Sequence, residues 1–287
     1  MTSLFNPPER TIEEWREVAK HFGKEVGDMA PISFLDVNIC VTDNTSIQCR
    51  VFNDQLSNAP ALIFYPGCSF IFNFLEVNSV ISSHIASLAN IKVILVNHRL
   101  APENSIQTCL RDCSDAASFI ALNPVQFGID TSKIFVGGWS SGAHAATFVS
   151  NKAPFKIFHQ ILLAGSFDYS HSHKEFNSYE VQDPTLDRRL ISHFASQFYS
   201  IADYRDPKFS PFWENDFTHF PSTTLLCGEF DAFRNDTEAY FTKLEKSKIQ
   251  VEKIILPGQS HNTIVMNPNE GLAPIKAIAK VIKDKTS

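Results

Sequence analysis

Short apolar runs and longer amphipathic segments alternate along most of this chain. The apolar runs predict strands at positions 34–41, 46–52, 61–65, 92–97, 133–137, 155–163, 222–227 and 249–256. Segments with helical periodicity separate most of these strands. Because strands that alternate with helices at this interval form parallel pairs, we expect an α/β fold with a mostly parallel sheet and helices on both of its faces.

Two segments stand apart from this alternation. The first, 11–24, predicts an amphipathic helix, because Thr11 and Glu14 have the spacing of a capping box. Its apolar face comprises Ile12, Trp15, Val18 and Phe22. The second segment, 166–209, begins with a polar stretch rich in histidine and tyrosine. Its later part predicts a helix through Leu190, Phe194 and Phe198.

One strand-like run ends in a turn that places a serine between two glycines. Residues 138–142 have the pattern Gly-x-Ser-x-Gly, and a helix-forming segment follows them. A strand, this turn and a helix together form the layout of a nucleophile elbow. Gly138 and Gly142 are required because side chains there would collide with the neighbouring strand and helix. Ser140 is therefore the candidate nucleophile.

Two later loops supply candidate partners for Ser140. A serine needs a histidine to take its proton and a carboxylate to orient that histidine. Asp231 directly follows one strand-like run and His261 follows the last one, so both lie at the carboxyl ends of predicted parallel strands. Glu229 and Asp236 are alternative acids, and Asp231 is also a suitable helix N-cap. We favour Asp231, because Asp236 falls inside the next helix. The order Ser, Asp, His is that of α/β-hydrolases.

Four blocks outside the elbow carry a family resemblance. They are residues 97–103 (NHRLAPE), 206–211 (DPKFSP), 228–236 (GEFDAFRND) and 257–261 (PGQSH). With these blocks in this order, the chain resembles the hormone-sensitive-lipase-like esterases of the α/β-hydrolase fold from about Phe34 to the C-terminus. His98 stands where tyrosine is usual in the first block.

This resemblance implies a single α/β-hydrolase domain, 1–287, with a small helical cap built from about 1–30 and 166–209. It implies a serine carboxylesterase that hydrolyses small to medium carboxylic esters through an acyl-enzyme on Ser140, with no metal and no other cofactor. Two alternatives stay open. The run Gly142-Ala143-His144 after the nucleophile weakly resembles the kynurenine-formamidase relatives, which leaves a formamide or amide hydrolase open. The altered oxyanion loop favours a non-catalytic small-molecule-binding homologue.

The loop after residues 61–65 departs from the family pattern. Members usually carry His-Gly-Gly-Gly there, whereas this chain has Pro66, Gly67, Cys68 and Ser69. We expect the backbone N–H groups of Gly67, Cys68, Ser69 and Ser141 to form the oxyanion hole, because a changed side chain does not remove a backbone donor. A positive φ at position 68 or 69 would add about 1 kcal/mol or more of strain in a non-glycine residue.

Aromatic and sulfur side chains lie close to these positions in the sequence. Phe70 and Trp139 are the predicted neighbours of the substrate pocket. Cys68 raises the idea of a second nucleophile, but no basic residue is near it in the sequence, so we interpret it as a small residue in a crowded loop. The strand-like runs contain three cysteines that we expect to be buried free thiols, which suit a reducing compartment. They are Cys40, Cys49 and Cys227. Cys109 and Cys113, four apart on a predicted helix, are expected to pack rather than pair.

Composition and charge indicate which partners and which cellular location to expect for this protein. With 287 residues and 44% hydrophobic content the chain can bury a large core, and a net charge of -6 argues against a nucleic-acid partner. No apolar run is long enough to span a membrane, and no signal-peptide pattern begins the sequence, so we expect a cytoplasmic protein that acts on a small-molecule ester. His171 and His173 lack acidic or cysteine partners at ligand spacing, so no metal site is expected. Nothing in the sequence favours or excludes a homodimer.

Overall fold

The central element is a twisted sheet whose strands are parallel except at one edge. The computed structural model of the protein describes residues 10–22, 27–170, 183, 186, 188–197, 204–266 and 272–287. Within these residues the sheet contains β1 (Phe34–Cys40), β2 (Ser46–Phe52), β3 (Ala59–Tyr65), β4 (Lys92–Asn97), β5 (Ile129–Trp139), β6 (His159–Leu163), β7 (Thr223–Gly228) and β8 (Val251–Leu256). Their order is β1-β2-β4-β3-β5-β6-β7-β8. The β1–β2 and β2–β4 pairs are antiparallel, and the remaining pairs are parallel.

Helices cover the sheet on both sides, as the sequence predicts. They are α1 (Ile12–Phe22), α2 (Leu75–Ala89), α3 (Ile106–Leu122), α4 (Pro124–Phe127), α5 (Ser141–Lys152), α6 (Arg188–Ser196), α7 (Arg234–Lys246), α8 (Thr263–Met266) and α9 (Leu272–Thr286). A 3₁₀ turn, Pro211–Trp213, precedes β7. The apolar residues of α2 and α9 pack on one face of the sheet, and those of α3, α5 and α7 pack on the other.

Strand β3 shows how the side-chain alternation builds two cores. Leu62 and Phe64 join the core under α2 and α9, whereas Ala61, Ile63 and Tyr65 join the core under α3 and α5. Successive residues of a strand point to opposite faces, so a run that is apolar throughout is buried on both sides. The continuous apolar runs in the sequence therefore indicate central parallel strands.

Some of the predicted boundaries and burials need correction. The strand predicted at 155–163 begins only at His159. The strand predicted at 133–137 is longer, Ile129–Trp139. Cys40 is exposed rather than buried, because β1 forms the edge of the sheet. Cys49 and Cys227 are buried free thiols, as expected, and Cys109 and Cys113 are buried and unpaired on α3.

The capping box before α1 is present. The backbone N–H of Thr11 donates to Glu14 Oε2 at 2.6 Å, and the N–H of Glu14 donates to Thr11 Oγ1 at 3.2 Å. Both segments that interrupt the alternation thus contribute a helix, α1 and α6. The predicted extensions of these helices to Lys24 and to Phe198 lie outside the described residues. In the part of the chain described above, no helix combines the length and the apolar character needed to cross a membrane.

Candidate active site

Ser140 occupies the sharp turn between β5 and α5. Its backbone has φ 56° and ψ -120°, a conformation that an L-residue adopts only when the surroundings hold it there. The N–H of Ser140 donates to the carbonyl of Leu163 on the neighbouring strand at 2.9 Å. A Cβ atom on Gly138 would lie 2.3 Å from the carbonyl group of Gly142, so the two glycines let the strand and helix approach this closely. The turn raises the Ser140 side chain above the carboxyl edge of the sheet.

Three side chains from three loops form a continuous hydrogen-bond chain. Ser140 Oγ lies 3.0 Å from His261 Nε2. His261 Nδ1 lies 3.1 Å from Asp231 Oδ1 and 3.2 Å from Asp231 Oδ2. All three residues are buried, and Asp231 is further fixed because its Oδ1 accepts the N–H of Phe233 at 2.8 Å. The loops after β5, β7 and β8 thus bring together the serine, acid and histidine that the sequence singled out.

The two alternative acids have other partners. Glu229 Oε2 accepts the backbone N–H of Gly258 at 2.9 Å. Asp236 is buried on α7, and its Oδ2 accepts the N–H groups of Phe167 and Asp168. No hydrogen bond within the described residues joins either carboxylate to the His261 ring. Asp231 is therefore the acid that orients the histidine.

The charges around His261 favour its protonated form. Burial alone lowers the pKa of the imidazole, but the charge of Asp231, its hydrogen bond to Nδ1 and the nearby carboxylate of Asp183 outweigh burial, so the pKa of His261 is raised above its ordinary value. Asp183 Oδ2 accepts the backbone N–H of His261 at 2.7 Å. Sequence reasoning missed Asp183, because it lies in the irregular polar stretch of 166–209, where no periodicity or motif marks it.

The oxyanion loop uses two of its four expected donors internally. The N–H of Gly67 donates to Asn78 Oδ1 at 3.1 Å, and the N–H of Cys68 donates to Ser141 Oγ at 3.0 Å. The N–H groups of Ser69 and Ser141 have no acceptor among the described residues. Ser69 has φ 50°, so the positive φ considered for this loop is present.

Cys68 lies against a histidine that the sequence does not place near it. Its Sγ is 3.7 Å from His98 Nε2, and His98 Nδ1 is 2.6 Å from the carbonyl oxygen of Arg99. Burial raises the pKa of the Cys68 thiol to about 12, so the sulfur is a protonated thiol at neutral pH. A thiol that keeps its proton is a poor nucleophile, which agrees with interpreting Cys68 as a packing residue.

An apolar cavity of about 120 Å³ opens in front of Ser140 and His261. Its aromatic lining consists of Trp15, Phe72, Phe74, Trp139, Tyr169, Phe194 and Phe233. Trp15 on α1 meets Phe194 on α6 edge to face, with their ring centroids 5.6 Å apart. The two helices thus form one wall of the cavity. Cavities of this kind, apolar with a few convergent polar groups, are typical of small-molecule sites.

A family model described as the alpha/beta hydrolase fold matches residues 62–265, a range that contains the Ser140 turn and the Asp231 and His261 loops. The chain belongs to the α/β-hydrolase fold, in its hormone-sensitive-lipase-like branch.

Known α/β-hydrolases match this chain over most of its length. An arylesterase of Saccharolobus solfataricus is 26% identical over 249 residues, which cover 84% of this chain and 80% of the relative. An ethyl acetate hydrolase of Pseudomonas putida is 23% identical over 269 residues, which cover 85% and 81%. The solved structure of a hyperthermophilic esterase from the archaeon Pyrobaculum calidifontis superposes with a TM-score of 0.88 at 23% identity, covering 97% of this chain and 95% of that one.

Not every residue singled out in this hydrolase lies where the sequence suggested. Trp139 lines the cavity, but Phe70 does not. Phe70 has φ 57° and is fully buried between the rings of His98 and His144, so its side chain belongs to the core rather than to the pocket. Aromatic side chains of α1 and α6 also line the cavity. No spacing in the sequence indicates that they lie near Ser140.

The histidine that follows the elbow does not line this cavity. His144 is fully buried beside Phe70 and Tyr169 and is absent from the cavity wall. His171 and His173 lie outside the described residues. Among the residues that are described, no group of three or more histidine, cysteine, aspartate or glutamate side chains has the arrangement of a metal site.

Proposed function

We propose that this hydrolase is a serine carboxylesterase that cleaves small to medium carboxylic esters through an acyl-enzyme on Ser140. The observation that carries the proposal is the hydrogen-bond chain from Ser140 Oγ through His261 to Asp231, which opens on an apolar cavity. The arylesterase and ethyl acetate hydrolase relatives act on esters, as their names state, which supports the same chemistry here.

Acylation begins when Ser140 Oγ attacks the ester carbonyl carbon while His261 Nε2 takes the hydroxyl proton. Asp231 holds the proton on Nδ1 and stabilises the imidazolium that forms. The carbonyl π electrons move onto oxygen, and the tetrahedral intermediate then collapses. The bond to the alcohol oxygen breaks, and His261 returns its proton to that oxygen as the alcohol leaves.

Deacylation repeats these steps with water. His261 removes a proton from the water that attacks the acyl carbon, and the acid is released as Ser140 regains its proton. The oxyanion formed in both halves accepts hydrogen bonds from the N–H groups of Ser69 and Ser141, the two expected donors that have no acceptor among the described residues. The proposed oxyanion hole thus has two N–H donors rather than the four expected from the sequence.

The cap consists of segments from about 1–30 and 166–209 on a single domain, 1–287. The described parts of these segments support this assignment, because α1 and α6 share an apolar cluster with the oxyanion loop. Its buried members are Ile12, Trp15, Ala19, Cys68, Ile71, Phe72, Leu186, Leu190, Phe194, Ala232 and Phe233. Packing of this kind excludes water from the Ser140 side of the cavity, which strengthens each polar contact there.

The lining of the cavity indicates neutral substrates. The polar residues that line it in the described structure are serines, Tyr169, Asn262 and His261, with no lysine, arginine or carboxylate among them. A substrate that carries its own charge would lose its hydration there without gaining an ion pair. We therefore expect uncharged esters with a modest apolar acyl or alcohol group.

Turnover of p-nitrophenyl acetate, butyrate and octanoate tests the proposed function. The wild-type chain should release p-nitrophenolate with all or some of these esters, and the Ser140→Ala and His261→Ala variants should not. Circular dichroism shows whether the variants are folded. Cleavage of an aryl formamide in preference to the esters would favour the amide hydrolase, and saturable ester binding without turnover would favour the binding protein.

A further inference from the structure

Asp183 joins the proposed cap to the loop that carries His261. Its carboxylate is fully buried, and its Oδ2 lies 2.7 Å from the backbone nitrogen of His261, which donates the hydrogen bond. Asp183 comes from segment 166–209, whereas His261 follows β8. The two residues are 78 positions apart in the chain, so the fold rather than local sequence creates this contact.

A buried carboxylate needs compensation, since its transfer out of water is strongly unfavourable unless polar partners replace the water. The N–H of His261 supplies part of this compensation. The same arrangement places a second negative charge close to a ring that becomes a cation in each half of the proposed reaction. Asp231 faces Nδ1 of that ring, and Asp183 approaches from the backbone side.

The groups around the His261 ring leave few other sources of charge. Asp231 and Asp183 are the carboxylates that act on it. The indole of Trp139 lies 5.6 Å from the imidazole centroid, and the ring of Phe233 lies 5.1 Å from it. Among the described residues, Ser140 is the hydrogen-bond partner of Nε2, and it is uncharged. The electrostatic preference for the imidazolium therefore depends on two residues, one of which belongs to the cap segment.

A second carboxylate, Glu229 on the loop after β7, also contacts the His261 loop and allows the effect of charge to be separated from the effect of anchoring. Glu229 accepts the N–H of Gly258, three residues before His261, at 2.9 Å. Glu229 is partly exposed and does not contribute to the charge that acts on the imidazole. It anchors the loop as Asp183 does, but solvent screens its charge. Glu229 is thus a matched control for Asp183.

We propose that Asp183 is a positioning residue that fixes the His261 loop when the cap segment is in place and stabilises the imidazolium by its charge. This role rests on the proposed esterase function. It makes the base depend on Asp183, because loss of this contact would remove both a hydrogen bond and a charge from His261.

The test compares Asp183→Asn and Asp183→Ala in the full chain. Asparagine keeps an acceptor of the same shape and removes the charge, so the acid limb of the kcat/KM profile for p-nitrophenyl butyrate should move to lower pH by about half a unit or more. Alanine removes the acceptor as well, so the same shift should come with a fall in kcat of about tenfold and a smaller change in KM. Glu229→Gln should leave the limb unchanged.

The titration of the His261 imidazole, followed by NMR, gives a second readout that needs no turnover. The Asp183→Asn variant should lower the midpoint of this titration and Glu229→Gln should not. Failure of the wild type to cleave any ester would contradict the proposed function, while the NMR titration would still test Asp183. An unchanged His261 midpoint in folded Asp183→Asn would overturn the role of Asp183, whatever the activity.

Discussion

A Cβ atom on Gly142 would lie 2.0 Å from the carbonyl oxygen of Tyr65. Gly142 is in the first turn of α5 and Tyr65 ends β3. The backbones of these two elements therefore approach closely, which places the nucleophile turn against the start of the oxyanion loop. Distances under 3 Å require the backbone of one element to move. The absence of a side chain at position 142 therefore sets the distance between Ser140 and the expected oxyanion donors.

The Gly142→Ala variant should lose its native fold or its activity. Tyr65 is fully buried in β3, so its carbonyl cannot move away without disturbing the core, and we expect a loss of at least about 3 kcal/mol in the free energy of unfolding. Urea denaturation of the purified variant measures this loss. Esterase activity measured on the soluble fraction shows whether the active site still works.

Gly258→Ala is the matched control for this substitution. Gly258 has φ 70°, but no atom of the described residues lies within 4 Å of its Cβ position. Alanine there should cost only about 1 kcal/mol of conformational strain. Equal losses in the two variants would contradict the steric explanation for Gly142.

The Asp231→Asn variant should keep the fold and lose most of the activity. Asparagine can still meet His261 Nδ1, but it does not stabilise the imidazolium, and it can select the wrong tautomer. A fall in kcat of about 10²–10⁴ is expected from the behaviour of such triads. Steady-state kinetics with p-nitrophenyl butyrate measure it.

Asp236→Asn is the corresponding control, because Asp236 is the alternative acid. Burial and the nearby charge of Asp168 raise the pKa of Asp236 well above its usual range, which makes the neutral amide a close mimic. Its kcat should stay within about threefold of the wild type, since its carboxylate contacts the backbone of Phe167 and Asp168. A larger loss with Asp236→Asn than with Asp231→Asn would reverse the assignment of the acid.

The sequence predicted the parts of this molecule that local patterns encode. Central strands such as β4 and β7 are continuous apolar runs, and the Ser140 turn has a glycine pattern that few other structures require. Asp231 and His261 were found because each directly follows a strand, and chain order supplied their roles. These signals are local in the sequence. The parallel sheet brings the three residues together, because the loops that follow its strands lie at the same edge.

The remaining features depend on contacts between distant segments. Asn78 on α2 accepts a hydrogen bond from the N–H of Gly67, and His98 contacts Cys68 across the end of the sheet. The edge-to-face packing of Trp15 on Phe194 depends on how α1 and α6 meet beside the cavity. No periodicity links these positions, so the sequence could not show which expected oxyanion donors are already used.

The pH dependence of kcat/KM should follow the titration of His261. The base works only as the neutral imidazole, and its pKa is raised by Asp231 and Asp183 despite burial. Activity should therefore be full at alkaline pH and fall as the pH drops through a midpoint above the ordinary histidine value of about 6.5. A pH–rate profile measures the midpoint. A midpoint clearly below that value would contradict the described electrostatics.

The buried ring of His144 should make the fold sensitive to acid. Burial lowers the pKa of His144 from 6.5 to about 3. The unfolded chain takes up the proton first, so this contribution to stability is complete above pH 6.5 and is lost as the pH falls towards 3. At about pH 5 the loss from this one residue is about 2 kcal/mol.

Urea unfolding of the wild type and of His144→Phe at about pH 7.5 and about pH 5 tests this contribution. The wild type should lose more stability between the two pH values than the variant does. The difference between pH values is the readout, because phenylalanine changes the packing equally at both. Equal acid sensitivity in the two proteins would show that His144 is not responsible.

Covalent trapping of Ser140 tests the central claim most directly. Diethyl p-nitrophenyl phosphate should phosphorylate the activated serine oxygen and release p-nitrophenolate, and intact-mass spectrometry with peptide mapping should find one diethylphosphoryl group on Ser140. The Ser140→Ala variant should stay unmodified, and His261→Ala should react far more slowly. An unmodified wild type, or a label that persists in Ser140→Ala on another residue, would contradict the assignment of Ser140 as the nucleophile.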